Sequence, residues 1–133
     1  PKNGNVFLSA KDRDKNWIIE IANELSNMGF NLFATSGTAK VLLDNNLDVQ
    51  ITNKLSEKGI NVIDLMKNNE VHLLINTPSG PVARVDEIKI RSEAILRGLP
   101  IVTTCSGARA TIKAIKTINN SEWNVKALQD FHS

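Results

Sequence analysis

Apolar positions along the chain follow two rhythms that alternate. Asn5-Val-Phe-Leu-Ser-Ala is a short, almost continuous apolar run, the pattern of a buried strand. The polar stretch KDRDKNW follows, with Asp12 or Asp14 as a candidate N-cap. Trp17, Ile18, Ile21, Ala22, Leu25 and Met28 then recur at helical spacing, and Gly29 suits the position just past a helix end. Phe30 to Ala34 reads as a second strand, and Thr38 to Asp44 as a helix of about two turns. Val49 to Thr52 is a weak third strand. Ser56 to Asn61 forms a polar loop, and Val62, Ile63, Leu65 and Met66 form a short third helix.

Val71-His-Leu-Leu-Ile is the strongest strand signal, a continuous run of the kind buried on both faces. It stops at Asn76-Thr-Pro-Ser-Gly-Pro, which neither extends a strand nor easily starts a helix. A helix from about Val85 or Asp86 to Arg97 ends at Gly98 and Pro100. Ile101 to Thr104 predicts a fifth strand, Ser106 to Ile118 a fifth helix, and Val125, Ala127 and Leu128 a last edge strand. Strands alternating with helices predict an α/β fold: a mainly parallel five-stranded sheet between two helical layers, a three-layer, Rossmann-like sandwich.

Composition narrows the class. At 133 residues, 41% hydrophobic and 23% charged, the chain fits one domain with its own core. No apolar run reaches membrane-spanning length and no signal peptide is apparent. The lone Cys105 excludes an internal disulfide, suits a reducing cytoplasm and reads as a small core residue. A net charge of +2 and 5% aromatic content without Tyr argue against nucleic acid as a partner. Pro1 is no translation start, so a piece of a longer or processed chain is expected.

Ligands of open α/β sheets sit beyond the carboxyl ends of the strands. The residues expected there are Ser9, Thr35, Ser36, Gly37, Thr38, Lys54, Asn76 and Thr77, with Lys15 starting the first helix on the same rim. Hydroxyls, an amide and two ammonium groups without a carboxylate are donors without acceptors, which suits an anion. The Thr35-Ser-Gly-Thr38 loop could cradle that anion at a helix N-terminus or simply cap the helix. Asp86 reads as an N-cap that could also accept from a sugar hydroxyl. His72 reads as structural, and Arg84, Arg91 and Arg97 as helix-face charges or interface contacts, spaced with Glu87 and Glu93.

The segments FLSAKDRDK, GFNLFATSGTAKVL, NK, INTPSG, IRSEAI and TTCSGARAT, with the LQDFH tail, resemble the methylglyoxal-synthase-like (MGS-like) domain over about residues 3 to 131. They are most like the version at the C-terminus of the large subunit of carbamoyl phosphate synthetase. That resemblance implies a non-catalytic allosteric domain that binds nucleotide effectors, typically UMP as inhibitor and IMP as activator. It implies phosphate-binding roles for Lys15, Thr35, Thr38 and Lys54, with Ser9, Asn76 and Thr77 adjoining. The implied partners are the remainder of the large subunit and the glutaminase small subunit. No cofactor is implied for this domain, whereas the parent ligase uses ATP with Mg or Mn.

Two departures from the family pattern stand out. Pro78 replaces a polar residue, and Ile101-Val102 replaces the Tyr-Asp pair of the ornithine site, which speaks against ornithine activation. The lyase members of the family use an aspartate in a Gly-Gly-Asp loop, which falls at Lys58-Gly59, and a second aspartate, which falls at about Ser79. Without a positioned base the lyase reading lacks its chemistry. The cyclohydrolase relative's Lys-Thr-Leu-His-Pro-Lys stretch is also absent. An oligomerisation module without ligand remains as a third alternative.

Overall fold

A computed structural model describes residues 4–53, 55, 59–77 and 85–118, the side chains of residues 12, 86 and 118 excepted. Lys54, Arg84, Pro78 and the expected tail strand lie outside the described residues, as does the side chain of Asp86. Five strands form one sheet: β1 (Asn5–Ser9), β2 (Asn31–Thr35), β3 (Gln50–Thr52), β4 (Leu73–Asn76) and β5 (Ile101–Val102). Their order is β3-β2-β1-β4-β5, and every pairing is parallel. The helices are α1 (Lys15–Asn27), α2 (Ser36–Asp44), α3 (Val62–Lys67), α4 (Val85–Arg97) and α5 (Cys105–Ile118), with a short 3₁₀ turn at Asp12–Asp14 ahead of α1.

Alternation along β1 and β4 sends side chains to two separate cores. Val6 and Leu8 of β1, with Leu73 and Ile75 of β4, pack under α1, α2 and α5 through Ile18, Leu25, Leu42 and Ile115. Phe7 and Leu74 point the other way and pack under α3 and α4 through Leu65, Met66, Ile90 and Ala94. This is the expected three-layer sandwich, and the described strands make it all-parallel.

Several expected boundaries shift, each for a local reason. Asp14 occupies the N-cap of α1, but its carboxylate accepts from Trp17 Nε1 (3.1 Å) and pairs with Lys11 (3.6 Å), and no side chain caps the helix. α2 opens at Ser36, two residues before the expected Thr38. β5 stops at Val102, because Thr104 accepts from the Gly107 N–H (3.0 Å) and starts α5 at Cys105. α4 already includes Val85, so Asp86 is not its N-cap but lies inside the first turn.

α3 is held by a capping box. Asn61 Oδ1 accepts from the N–H groups of Ile63 (2.9 Å) and Asp64 (3.1 Å), and Asp64 returns the bond to the Asn61 N–H (3.1 Å).

Candidate functional site

The strand order reverses between β1 and β4, so the crevice beyond their carboxyl ends is where this topology leaves room for a ligand. Ser9 and Asn76 are register partners at that edge. Thr35 and Thr52 are partners one and two strands further along it. A cleft of about 570 Å³ opens there, a size typical of small-molecule sites.

One wall of the cleft is polar and comes from Ser9, Thr35, Ser36, Gly37 and Asn76. Phe7, Leu55, Val62 and Ile90 supply the cleft's apolar lining, with Phe7 preceding Ser9 on the same face of β1, and Thr52, Asn53 and Glu87 complete it. Because α2 packs on one face of the sheet and α4 on the other, the cleft spans the sheet edge between them.

Thr35 sits at the N-cap of α2 with extended backbone, yet its side chain does not cap the helix. Its hydroxyl donates instead to Thr38 Oγ1 (3.4 Å). The first N–H groups of a helix have no partner inside it, and here they face the cleft wall uncapped. They carry the positive end of the helix dipole. Gly37, one turn position further, has no left-handed backbone to explain it. A Cβ built on it would stand 3.6 Å from Lys15 Nζ, an ordinary contact, which places the Lys15 ammonium beside the start of α2 without requiring a glycine there.

Asn76 is 3% exposed, and its Nδ2 is buried with no hydrogen-bond partner among the described residues. A buried donor left this way costs about 1–3 kcal/mol, which an oxygen placed in the cleft would offset. It is the clearest unmet polar group of the wall.

Thr38 and Thr77 stand behind that wall. Thr38 is 2% exposed and its oxygen accepts from the Ala10 N–H (3.0 Å) and from Thr35, while donating weakly to the Ala10 carbonyl (3.5 Å). One hydroxyl has one proton and two lone pairs, so these contacts use all of them. Thr77, 4% exposed, accepts from the Lys11 N–H (2.9 Å) and donates its own N–H to the Ser9 carbonyl (2.9 Å). Together the two threonines fix the β1–α1 loop that brings Lys15 to the rim. Among the expected site residues, Ser9, Thr35, Ser36, Gly37 and Asn76 therefore line the cleft. Lys15 reaches its edge, Thr38 and Thr77 support it, and Lys54 and the Asp86 side chain lie outside the described residues.

Glu87 overturns the reading of a rim without carboxylates, because the first turn of α4 brings it into the lining. Its helical spacing with Arg91 fits helix-face charges or interface contacts, and the spacing does not set which way that face turns toward the sheet. His72 is structural, its Nδ1 accepting from the Asn5 N–H (2.9 Å) at the other end of the sheet. Among the described residues, no three His, Cys, Asp or Glu side chains converge on a metal-sized point, and no helix is long and apolar enough to cross a membrane.

The MGS-like domain family matches residues 17–103 of the chain. The chain belongs to this family. It is 42% identical over 131 residues to the carbamoyl phosphate synthase large chain of Nostoc sp., covering 98% of this chain and 12% of that one. Over 128 residues it is 42% identical to the C-terminal section of the carbamoyl phosphate synthase large chain of Methanocaldococcus jannaschii, covering 96% of this chain and 21% of the relative. The chain thus spans only about an eighth to a fifth of these relatives.

Two solved structures share the MGS-like fold at low identity. The methylglyoxal synthase of Elizabethkingia anophelis superposes with a TM-score of 0.66 at 13% identity, covering 84% of this chain and 78% of the enzyme. ForH superposes with a TM-score of 0.67 at 14% identity, covering 96% and 87%.

Proposed function

We propose that the cleft is an effector site for a phosphate monoester of the UMP or IMP type, in the regulatory domain of a carbamoyl phosphate synthetase large chain. The observation that carries the reading is the buried Asn76 Nδ2, without a hydrogen-bond partner among the described residues, beside the start of α2, which no side chain caps, at the reversal point of the sheet. The phosphate would lie against the α2 N–H groups with Ser9, Thr35, Ser36 and Asn76 as donors. Lys15 would close over Gly37, and Lys54 would supply a second ammonium group. Thr38 and Thr77 would act through the loop they hold. The effector's base and sugar would lie along the apolar lining of Phe7, Leu55, Val62 and Ile90.

Regulation then follows from differential affinity. If the wall from α4 packs differently on the rest of the large chain in two states, the effector shifts their populations by its preference for one. The domain itself would do no chemistry. The parent would be a cytoplasmic ligase making carbamoyl phosphate for pyrimidine and arginine synthesis from ATP, with its metal ions elsewhere and a glutaminase subunit as partner. Calorimetric titration of the chain with UMP, IMP and inorganic phosphate tests the site. Competition between the nucleotides and phosphate is expected, and no heat with any of them refutes it.

A second reading is favoured by Glu87, a carboxylate in a cleft whose fold is that of a methylglyoxal synthase. In a lyase it would take the proton beside the carbonyl of dihydroxyacetone phosphate. Methylglyoxal release by the purified chain, lost in Glu87→Gln, would establish that reading in place of the sensor.

A further inference from the structure

The polar wall of the cleft offers donors, and a phosphate satisfies donors only. Among the described residues, Glu87 is the carboxylate lining the cleft, and it stands across the sheet edge from the start of α2, beside Ile90. A carboxylate only accepts hydrogen bonds when ionised, so a ligand reaching from α2 to α4 must change character along its length. It must be an anion at one end and a hydrogen-bond donor at the other. The volume of about 570 Å³ leaves room for such an organic part beyond the phosphate.

We propose that Glu87 is the specificity-determining residue of the cleft. It accepts from an O–H or N–H on the organic part of a phosphate monoester and disfavours ligands whose further phosphates approach α4. This rests on the effector-site reading above. The alternative role for Glu87 is local, since a glutamate in the first turn of a helix stabilises its positive end. Glutamine keeps the capping geometry of that position but not the charge, so Glu87→Gln separates the two roles.

Titrations of the chain and of Glu87→Gln with uridine 5′-monophosphate, its 2′,3′-dideoxy analogue, uridine 5′-triphosphate and inorganic phosphate test the proposal, with Lys15→Ala as reference. Glu87→Gln is expected to weaken the monophosphate about tenfold or more, the scale of one charged hydrogen bond. It should leave inorganic phosphate unchanged or tighter and narrow the gap between mono- and triphosphate. The dideoxy analogue identifies the donor: insensitivity to Glu87→Gln assigns a sugar hydroxyl, and retained sensitivity assigns a base N–H. Equal loss for monophosphate and phosphate, or no change for either while Lys15→Ala weakens both, overturns the role of Glu87 and leaves the site standing. A wild-type chain that binds none of the probes overturns the site and the proposal together.

Discussion

The two edges of the sheet are built to opposite rules. At the edge where strands begin, every helix arriving from α1 to α4 is closed by a residue in left-handed conformation: Gly29, Asn46, Asn69 and Gly98. The next residue reaches back five positions in each case, Phe30 to Leu25, Leu47 to Leu42, Glu70 to Leu65 and Leu99 to Ala94, at 2.8–3.1 Å. The asparagines there are knitted together. Asn31 Nδ2 donates to Asn5 Oδ1 (3.0 Å), and Asn5 Nδ2 donates to the Glu70 carbonyl (2.7 Å). At the edge where strands end, Asn61 caps α3 and Thr104 caps α5, but α2 starts without a side-chain cap and Asn76 Nδ2 is buried with no partner among the described residues. Satisfied polar groups hold a fold, while unsatisfied ones wait for something to bind. The first edge therefore belongs to stability and the second to recognition.

The sharpest way to break that division is to cut the closed edge. Phe30 is buried in the core beneath α1 and closes the end of that helix. Phe30→Ala should lower unfolding free energy by about 3–5 kcal/mol, the cost of a large cavity. Effector affinity of the molecules that remain folded should not change. Urea unfolding read alongside binding measures both, and a parallel loss of affinity would show that the two edges are coupled.

At the open edge the balance should reverse. Lys15→Ala removes an ammonium from the cleft rim and should weaken phosphate-bearing ligands by roughly ten- to a hundredfold, equivalent to about 1.5–3 kcal/mol. Unfolding free energy should move by less than about 0.5 kcal/mol, as for other surface substitutions. Unchanged affinity would return Lys15 to the solvated lysines.

Much of this was legible in the sequence, because both periodicities are strong and the residues after a strand end fall on one rim whatever the strand order. The order β3-β2-β1-β4-β5 was not legible, since pairing partners leave no local trace. The capping box of Asn61 and Asp64 was present in the spacing and was passed over as polar loop. Thr104 was absorbed into a strand because a β-branched residue fits either role, and only the Gly107 N–H decides between them. Glu87 was missed for a different reason. Its helical repeat with Arg91 fixes a stripe on α4 but not the rotation of that stripe toward the sheet.

Thr38 blurs the line between the edges, and so sharpens it. It sits at the open edge yet is buried, with its hydroxyl bound to the loop after β1. Thr38→Ala leaves the Ala10 N–H without its acceptor and should cost about 1–3 kcal/mol of stability. Thr38→Ser keeps the hydroxyl and should recover most of it. Thr35→Ala should cost little stability and act on affinity instead. If Thr38→Ala weakened binding with no loss of stability, its hydroxyl would belong to the cleft after all.

The smallest effect expected is a pH dependence confined to the closed edge. His72 Nδ1 accepts from the Asn5 N–H at the start of β1, which requires an unprotonated nitrogen. Burial, the largest cause, pushes the His72 pKa below its ordinary value. The unfolded chain takes up this proton as pH falls through about 6.5, the ordinary histidine value, while the folded chain still resists it. Between that pH and the lower folded pKa the unfolded state binds more protons, so stability decreases as pH falls. It is fully present above the unfolded value and is lost progressively below it. Urea midpoints measured from pH 8 down to 5.5 in a His132→Gln background, where His72 is the remaining histidine, should therefore decline. A further change of His72→Gln should flatten the slope, since the amide does not titrate. Equal midpoints across the window, or a slope that survives His72→Gln, would remove His72 from the bonds that hold this edge closed.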